Sequence, residues 1–193
     1  MDSVKNFKFH KSSSEWNGIE IFPFFSEDNR GSFLKIYEQT VYKDFGIEFH
    51  VNEVFISHSQ KNVIRGIHFQ KKNPQAKVIT VVKGEVWDVI VDLRPESPSF
   101  AVWQSYELSD KNHNAIYVPA GFGHGFLSQS EDTVVLYLCD GYYDKSADTG
   151  IRFDDPDLKI EWPLDDIVQS IHSERDLELM SLKNYINNPI MEI

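Results

Sequence analysis

From Val51 onward, short β-branched and aromatic runs alternate with turn residues. The runs are Val54 to Ile56, Val63 to Phe69, Lys77 to Val82, Glu85 to Leu93, Phe100 to Leu108, Ala115 to Val118, Phe126 to Ser128 and Thr133 to Cys139. Between them fall Lys83-Gly84, Arg94-Pro95-Glu96-Ser97-Pro98, Ser109-Asp110-Lys111-Asn112 and Ser130-Glu131-Asp132. Turn signals recurring every 8 to 12 residues or so, with no long helical period between them, predict an all-β sandwich or barrel.

Upstream, residues 1–19 are polar and carry little periodicity, and Ile19 to Phe25 reads as a strand broken by Pro23. Ser26 to Gly31 is turn chemistry, with Gly31 able to take positive φ. Ser32 to Tyr37 predicts another strand, and Gln39 to Phe45 a short helix or turn. Downstream of Tyr143, Asp154-Asp155-Pro156-Asp157 and Trp162-Pro163 mark an irregular loop. Ser173 followed by Glu174 and Asp176 reads as a capped helix start running through Lys183, because acidic groups in a first turn favour the helix dipole. Residues 184–193 are expected to be a loose tail.

At 193 residues the chain can bury a sizeable core, so one domain over 1–193 is expected, with its core at about 49–143 and a C-terminal helical segment at about 164–193. The aromatic content, 14 Phe, 8 Tyr and 4 Trp, favours strands further. A net charge of −11 argues against nucleic acid as a partner, since phosphate neutralisation needs a cationic surplus. A pocket can still gather Arg30, Arg65 and Lys77 around a small anion. No apolar leader and no run of about 18 apolar residues is present, so no membrane partner is expected. The lone Cys139 forms no internal disulfide, which points to a cytoplasmic location.

The candidate chemistry centres on Arg65-Gly66-Ile67-His68-Phe69-Gln70 and Lys77. In metal-binding double-stranded β-helix proteins, the first motif has the form His-x-His followed by Glu and Gly. Here the matching positions hold His68, Gln70 and Lys77, with Gly84 beyond, while the second motif, Pro-x-Gly-x-x-His, is intact as Pro119 to His124. The architecture signal survives, but an amide and an ammonium replace metal ligands, and a divalent ion wants imidazole or carboxylate donors. The same set suits proton transfer: a neutral His is a base near neutral pH, and a nearby cation stabilises charge developing on a substrate oxygen. On this pattern alone, His68 serves equally well as a satisfied core histidine and Lys77 as a solvated edge residue. Arg65 and His68, three apart, lie on opposite faces of a regular strand. For both to line one pocket, Gly66 must mark a bulge or sharp twist.

The chain resembles the dTDP-4-dehydrorhamnose 3,5-epimerase family of nucleotide-sugar epimerases, from about Phe24 to about Asp176. The matching stretches are Asp28 to Phe33, Val63 to Gln70, Pro74 to Lys77, Gly84 to Arg94, Ser97 to Phe100, Pro119 to Phe126 and Gly150 to Asp157. The resemblance implies a cupin jelly roll (a double-stranded β-helix) with short C-terminal helices and no metal or other cofactor. It also implies a homodimer in which the N-terminal strand, about 19–37, crosses to the partner. The implied substrate is a nucleotide-diphosphate 4-keto-deoxy sugar, inverted at carbon 3, carbon 5 or both. His68 takes the place of the base, Asp176 of its carboxylate partner, Lys77 of the enolate stabiliser and Tyr137 of the proton donor. Arg65 corresponds to a diphosphate contact and Arg30 to a nucleotide contact. Gln70, Asp88, His124, Glu53, Ser57, Lys35 and Tyr143 fall at further substrate-binding positions.

Two positions depart from the family. Phe55 stands where members carry an asparagine, and Lys35 where an acidic residue meets the nucleotide base. The implied catalytic set is intact while recognition positions differ, which leaves the nucleotide and sugar open. A metal-dependent oxygenase, a non-catalytic sugar-binding cupin and a ketoisomerase are the other readings of the same fold.

Overall fold

The computed structural model describes residues 6–164 and 170–191. Thirteen strands and three short helices occur there: β1 Lys8–His10, β2 Ile19–Phe22, β3 Phe24–Asp28, β4 Gly31–Lys35, α1 Gln39–Asp44, β5 Glu53–Ser59, β6 Ile64–Gln70, β7 Lys77–Lys83 and β8 Glu85–Asp92. They continue with β9 Trp103–Ser109, β10 Ala115–Val118, β11 Phe122–Ser128, β12 Thr133–Cys139, β13 Asp148–Gly150, α2 Glu174–Leu177 and α3 Leu182–Asn187. A six-stranded sheet, β1-β2-β10-β7-β12-β5, and a five-stranded sheet, β13-β6-β11-β8-β9, make the jelly roll. Among the described residues, hairpin β3-β4 forms a two-stranded sheet of its own.

Three layers of apolar side chains explain why the strands read as near-continuous hydrophobic runs. Between the sheets, Ile79, Val81, Ile116, Val135 and Cys139 from one wall meet Val86, Ile90, Leu108, Phe122 and Phe126 from the other. The alternate residues of the same strands are covered on the outside. Val78 and Ala115 pack under Tyr42 and Phe49, while Ile67, Val89 and Val91 pack under Leu182 and Tyr185. A strand buried on both faces has no polar side to alternate with.

The predicted runs match these strands with instructive exceptions. Strand β11 starts at Phe122 rather than Phe126, so His124 sits within a strand whose residues are all buried. Strand β9 begins only at Trp103, because Pro98 to Ala101 turns and Ala101 takes a φ of 61°. Strands β1 and β13, three residues each, are too short for a periodic signal. Ser173 does cap α2, its Oγ accepting from Asp176 N at 3.1 Å. The helical run then breaks, and Ser181 caps α3 separately. The tail is not loose at its start: Tyr185 is fully buried and its hydroxyl donates to Leu93 O at 2.7 Å. The expected helical segment from about 164 falls partly on 165–169, outside the described residues.

Gly66 behaves as the spacing of Arg65 and His68 demands. His124 pairs with His68 and Phe126 with Arg65, so two steps along β11 match three along β6. The extra residue is a β-bulge, at which Gly66 takes a φ of +126° and the Gly66–Ile67 peptide is cis.

Candidate active site

An open cleft of about 780 Å³ lies between the two sheets. The five-stranded wall contributes Arg65, His68, Phe69 and Gln70 from β6 and His124 and Phe126 from β11. The six-stranded wall contributes Glu53, Val54, Phe55 and Ser57 from β5, Lys77 from β7 and Tyr137 from β12. Gln75, Tyr143, Asp148 and Arg175 complete the lining from the cleft's rim.

His68 carries its carboxylate partner from a distant part of the chain. Its Nε2 is 2.5 Å from Asp176 Oδ1, on the buried side of α2, while the imidazole remains partly open to the cleft. Burial pushes the Asp176 carboxyl up, but the His68 bond and charge, with Ser173 and Arg175, outweigh it and hold the group below the usual range. Asp176 therefore stays an anion able to orient the ring and balance a proton gained by it.

Opposite stand a cation and a phenol. Burial lowers the pKa of Lys77, although neighbouring Cys139, Asp140 and Asp148 oppose that shift. Among the described residues Lys77 makes no ion pair, which leaves its charge for whatever enters the cleft. Tyr137 is almost wholly buried, and burial pushes its hydroxyl pKa well up, with Ser57 pulling the other way. A neutral phenol is the form that can give up a proton.

Behind this layer His124 Nε2 lies 2.8 Å from Asp88 Oδ2. Asp88 is fully buried and does not line the cleft; burial raises its pKa against the influence of His124. Its Oδ1 has no hydrogen-bond partner among the described residues. Gln70 is a brace: its amide donates to Asn73 O and Tyr142 O at 3.3 and 3.2 Å, and its Oε1 accepts from Asp144 N at 2.6 Å. Glu53 holds the same loop by accepting from Tyr143 N at 3.0 Å. At the rim, Asp148 joins the Tyr143 hydroxyl at 3.0 Å to Arg175 at 2.7 Å. Arg65 bonds Ser59 Oγ and His58 O and makes no ion pair among the described residues.

Arg30 and Lys35 are not part of this chain's cleft. Arg30 sits exposed at the β3-β4 turn, paired with Asp28 at 2.5 Å, and Lys35 pairs with Glu38. Sequence reasoning missed Asp148 and Arg175. Arg175 had a signal in its place beside Asp176; Asp148, on a three-residue strand, had none.

A metal held as in other jelly rolls of this type would need ligands at His68, Gln70, Lys77 and His124. Gln70's amide is consumed by backbone groups, Lys77 repels a cation and His124 is bound to Asp88, so the donor set does not fit one.

A carboxylate-backed histidine facing a cation and a phenol across a cupin jelly roll marks an enzyme of the isomerase class. The family model described as dTDP-4-dehydrorhamnose 3,5-epimerase matches residues 17–184. The dTDP-4-dehydrorhamnose 3,5-epimerase of Methanothermobacter thermautotrophicus is 38% identical over 187 residues, 97% of this chain and 99% of that protein. The dTDP-4-dehydrorhamnose 3-epimerase of Streptomyces niveus is 39% identical over 146 residues, 75% and 70% of the two chains. The Legionella pneumophila dTDP-6-deoxy-D-glucose-3,5-epimerase, solved in complex with dTDP-4-keto-L-rhamnose, superposes with a TM-score of 0.89 at 33% identity, covering 96% of this chain and 97% of that one. This chain belongs to the dTDP-4-dehydrorhamnose 3,5-epimerase family. No helix among the described residues is long and apolar enough to cross a membrane.

Proposed function

We propose that this chain inverts carbon 3, carbon 5 or both of a dTDP-linked 4-keto-6-deoxy sugar without a metal or redox cofactor. The observation that carries this reading is the His68–Asp176 pair on one wall of the cleft, with Tyr137 and Lys77 on the other. The 4-keto group acidifies the hydrogens on both flanking carbons. His68 removes one, and Asp176 stabilises the imidazolium so formed. Lys77 stabilises the enolate oxygen. Tyr137 returns a proton from the opposite face, which is what inversion requires. Arg65 and the rim around Tyr143 receive the nucleotide diphosphate, while Glu53, Ser57, Gln70, Asp88 and His124 shape and brace the pocket. The nucleotide is assigned as dTDP because the relatives' names and bound ligands agree on it. The product feeds deoxysugar incorporation into a surface polysaccharide, and the lone, buried Cys139 suits a cytoplasmic location.

Purified protein incubated in heavy water with dTDP-4-keto-6-deoxy sugar is expected to incorporate deuterium at carbon 3, carbon 5 or both and to give inverted product, read by NMR. Binding without exchange would replace this reading with a non-catalytic sugar binder, and a shifted carbonyl would mark a ketoisomerase.

The working unit is a homodimer; of the expected exchanged segment, about 19–37, β2 pairs with β10 of its own chain, and hairpin β3-β4 crosses to a second copy, carrying Arg30 and Lys35 to the partner's cleft. Phe25 and Phe33 on the hairpin, and Val54 and Ile56 on edge strand β5, are exposed apolar groups that such pairing would cover. Light scattering is expected to read twice the chain mass, and a monomer would overturn this assembly.

A further inference from the structure

Phe55 is a large aromatic in an unusual place. It lies on β5, an edge strand of the six-stranded sheet, and remains 45% exposed, so it adds little to the core. Phe55 is the direct cross-strand partner of Tyr137, and the two rings stack with centroids 4.6 Å apart and planes 14° apart. From the facing sheet His124 also meets the Tyr137 ring in a T-shaped contact, at 6.0 Å and 77°. His124 is itself pinned to Asp88 at 2.8 Å. The Tyr137 ring thus touches a stacked ring and an anchored one, each arrangement of a kind that ring quadrupoles favour. Tyr137 cannot swing its plane without parting from Phe55.

Chemistry makes that plane matter. An enolate formed by His68 has two fates. The imidazolium can return a proton, exchanged with solvent, to the face it came from, which restores the starting configuration. Tyr137 can instead protonate the far face and invert the carbon. The bond broken is the phenol O–H, the bond formed is the C–H, and the phenolate regains its proton from water. Which fate prevails depends on how well the phenol is placed when the enolate forms.

We propose that Phe55 is a positioning residue that fixes the plane of Tyr137, and thereby sets how many inversions occur per exchange event. This rests on the epimerase reading above.

The test measures two rates in heavy water on the full-length protein with a dTDP-4-keto-6-deoxy sugar: deuterium entry and formation of inverted product. In Phe55→Ala, inversion is expected to fall about tenfold or more while exchange falls less than about threefold. Phe55→Tyr keeps the stacked ring and is expected to keep the wild-type ratio. A melting curve for each variant confirms folding. An unchanged ratio in Phe55→Ala, including a parallel fall of both rates, makes Phe55 a purely structural residue and overturns the proposal. Absence of exchange in the wild type removes the epimerase reading itself, and the clamp falls with it.

Discussion

His68→Asn is expected to lower deuterium entry at carbons 3 and 5 by about a thousandfold, the scale at which a positioned general base contributes. Asparagine can still bond to Asp176 yet takes up no proton at neutral pH, so the variant separates proton transfer from packing. His68→Ala is the poorer probe, since it strands Asp176: a carboxyl almost wholly buried, whose depressed pKa depends on the His68 bond and charge, would lose its main stabilising neighbour. Melting of His68→Asn is expected to stay close to wild type, because the imidazole is partly open to the cleft. NMR-detected exchange checks the rate and calorimetry the fold. Wild-type exchange in a folded His68→Asn protein would remove His68 from the base role, and with it the assignment of Asp176 as its partner.

Gly66→Ala is expected to destabilise the fold by about 3–5 kcal/mol, the sum of an overpacking cost and a backbone cost. A Cβ there would lie 2.4 Å from Gly125 Cα and 2.8 Å from His124 O. Both contacts are backbone of β11, which is held on each side by β6 and β8 and cannot move away cheaply. The φ of +126° adds strain for any L side chain. Near 200 residues each kcal/mol shifts Tm by about 2–4 °C, so a fall of roughly 10 °C is expected in a calorimetric scan. Gly31→Ala is the control, because Gly31 has almost the same φ, +125°, with nothing within 4 Å of an added Cβ. If the two variants melt alike, the close approach of β6 to β11 is not what requires glycine at this position.

Much of the site was visible before any fold was known, for identifiable reasons. The bulge at Gly66 followed from three facts: side chains alternate along a strand, Arg65 and His68 are three apart, and both were wanted in one pocket. The unsuitability of the metal site followed from donor chemistry at Gln70 and Lys77, which needs no coordinates. Most strands were legible because β6, β7, β8, β11 and β12 are covered on both faces, so apolar runs between turn residues coincide with them.

What the local pattern left even was whether His68 was a base or a core residue, and for Tyr137 it favoured core packing over a proton donor. The sequence determined the strands, the Ser173 cap of α2 and the residue types available for proton transfer, since these depend on near neighbours and intrinsic chemistry. Resemblance named Asp176 as the partner of His68 and the tertiary structure brings them to 2.5 Å, but only the tertiary structure decided that Phe55 stacks on Tyr137 and that Asp148 and Arg175 stand at the rim. It also decided that Gln70 and Asp88 act as braces, and that Arg30 and Lys35 lie outside this chain's own cleft. Contacts of that kind come from strand register and helix docking, which are set by burial summed over the whole core and leave no mark at any one position.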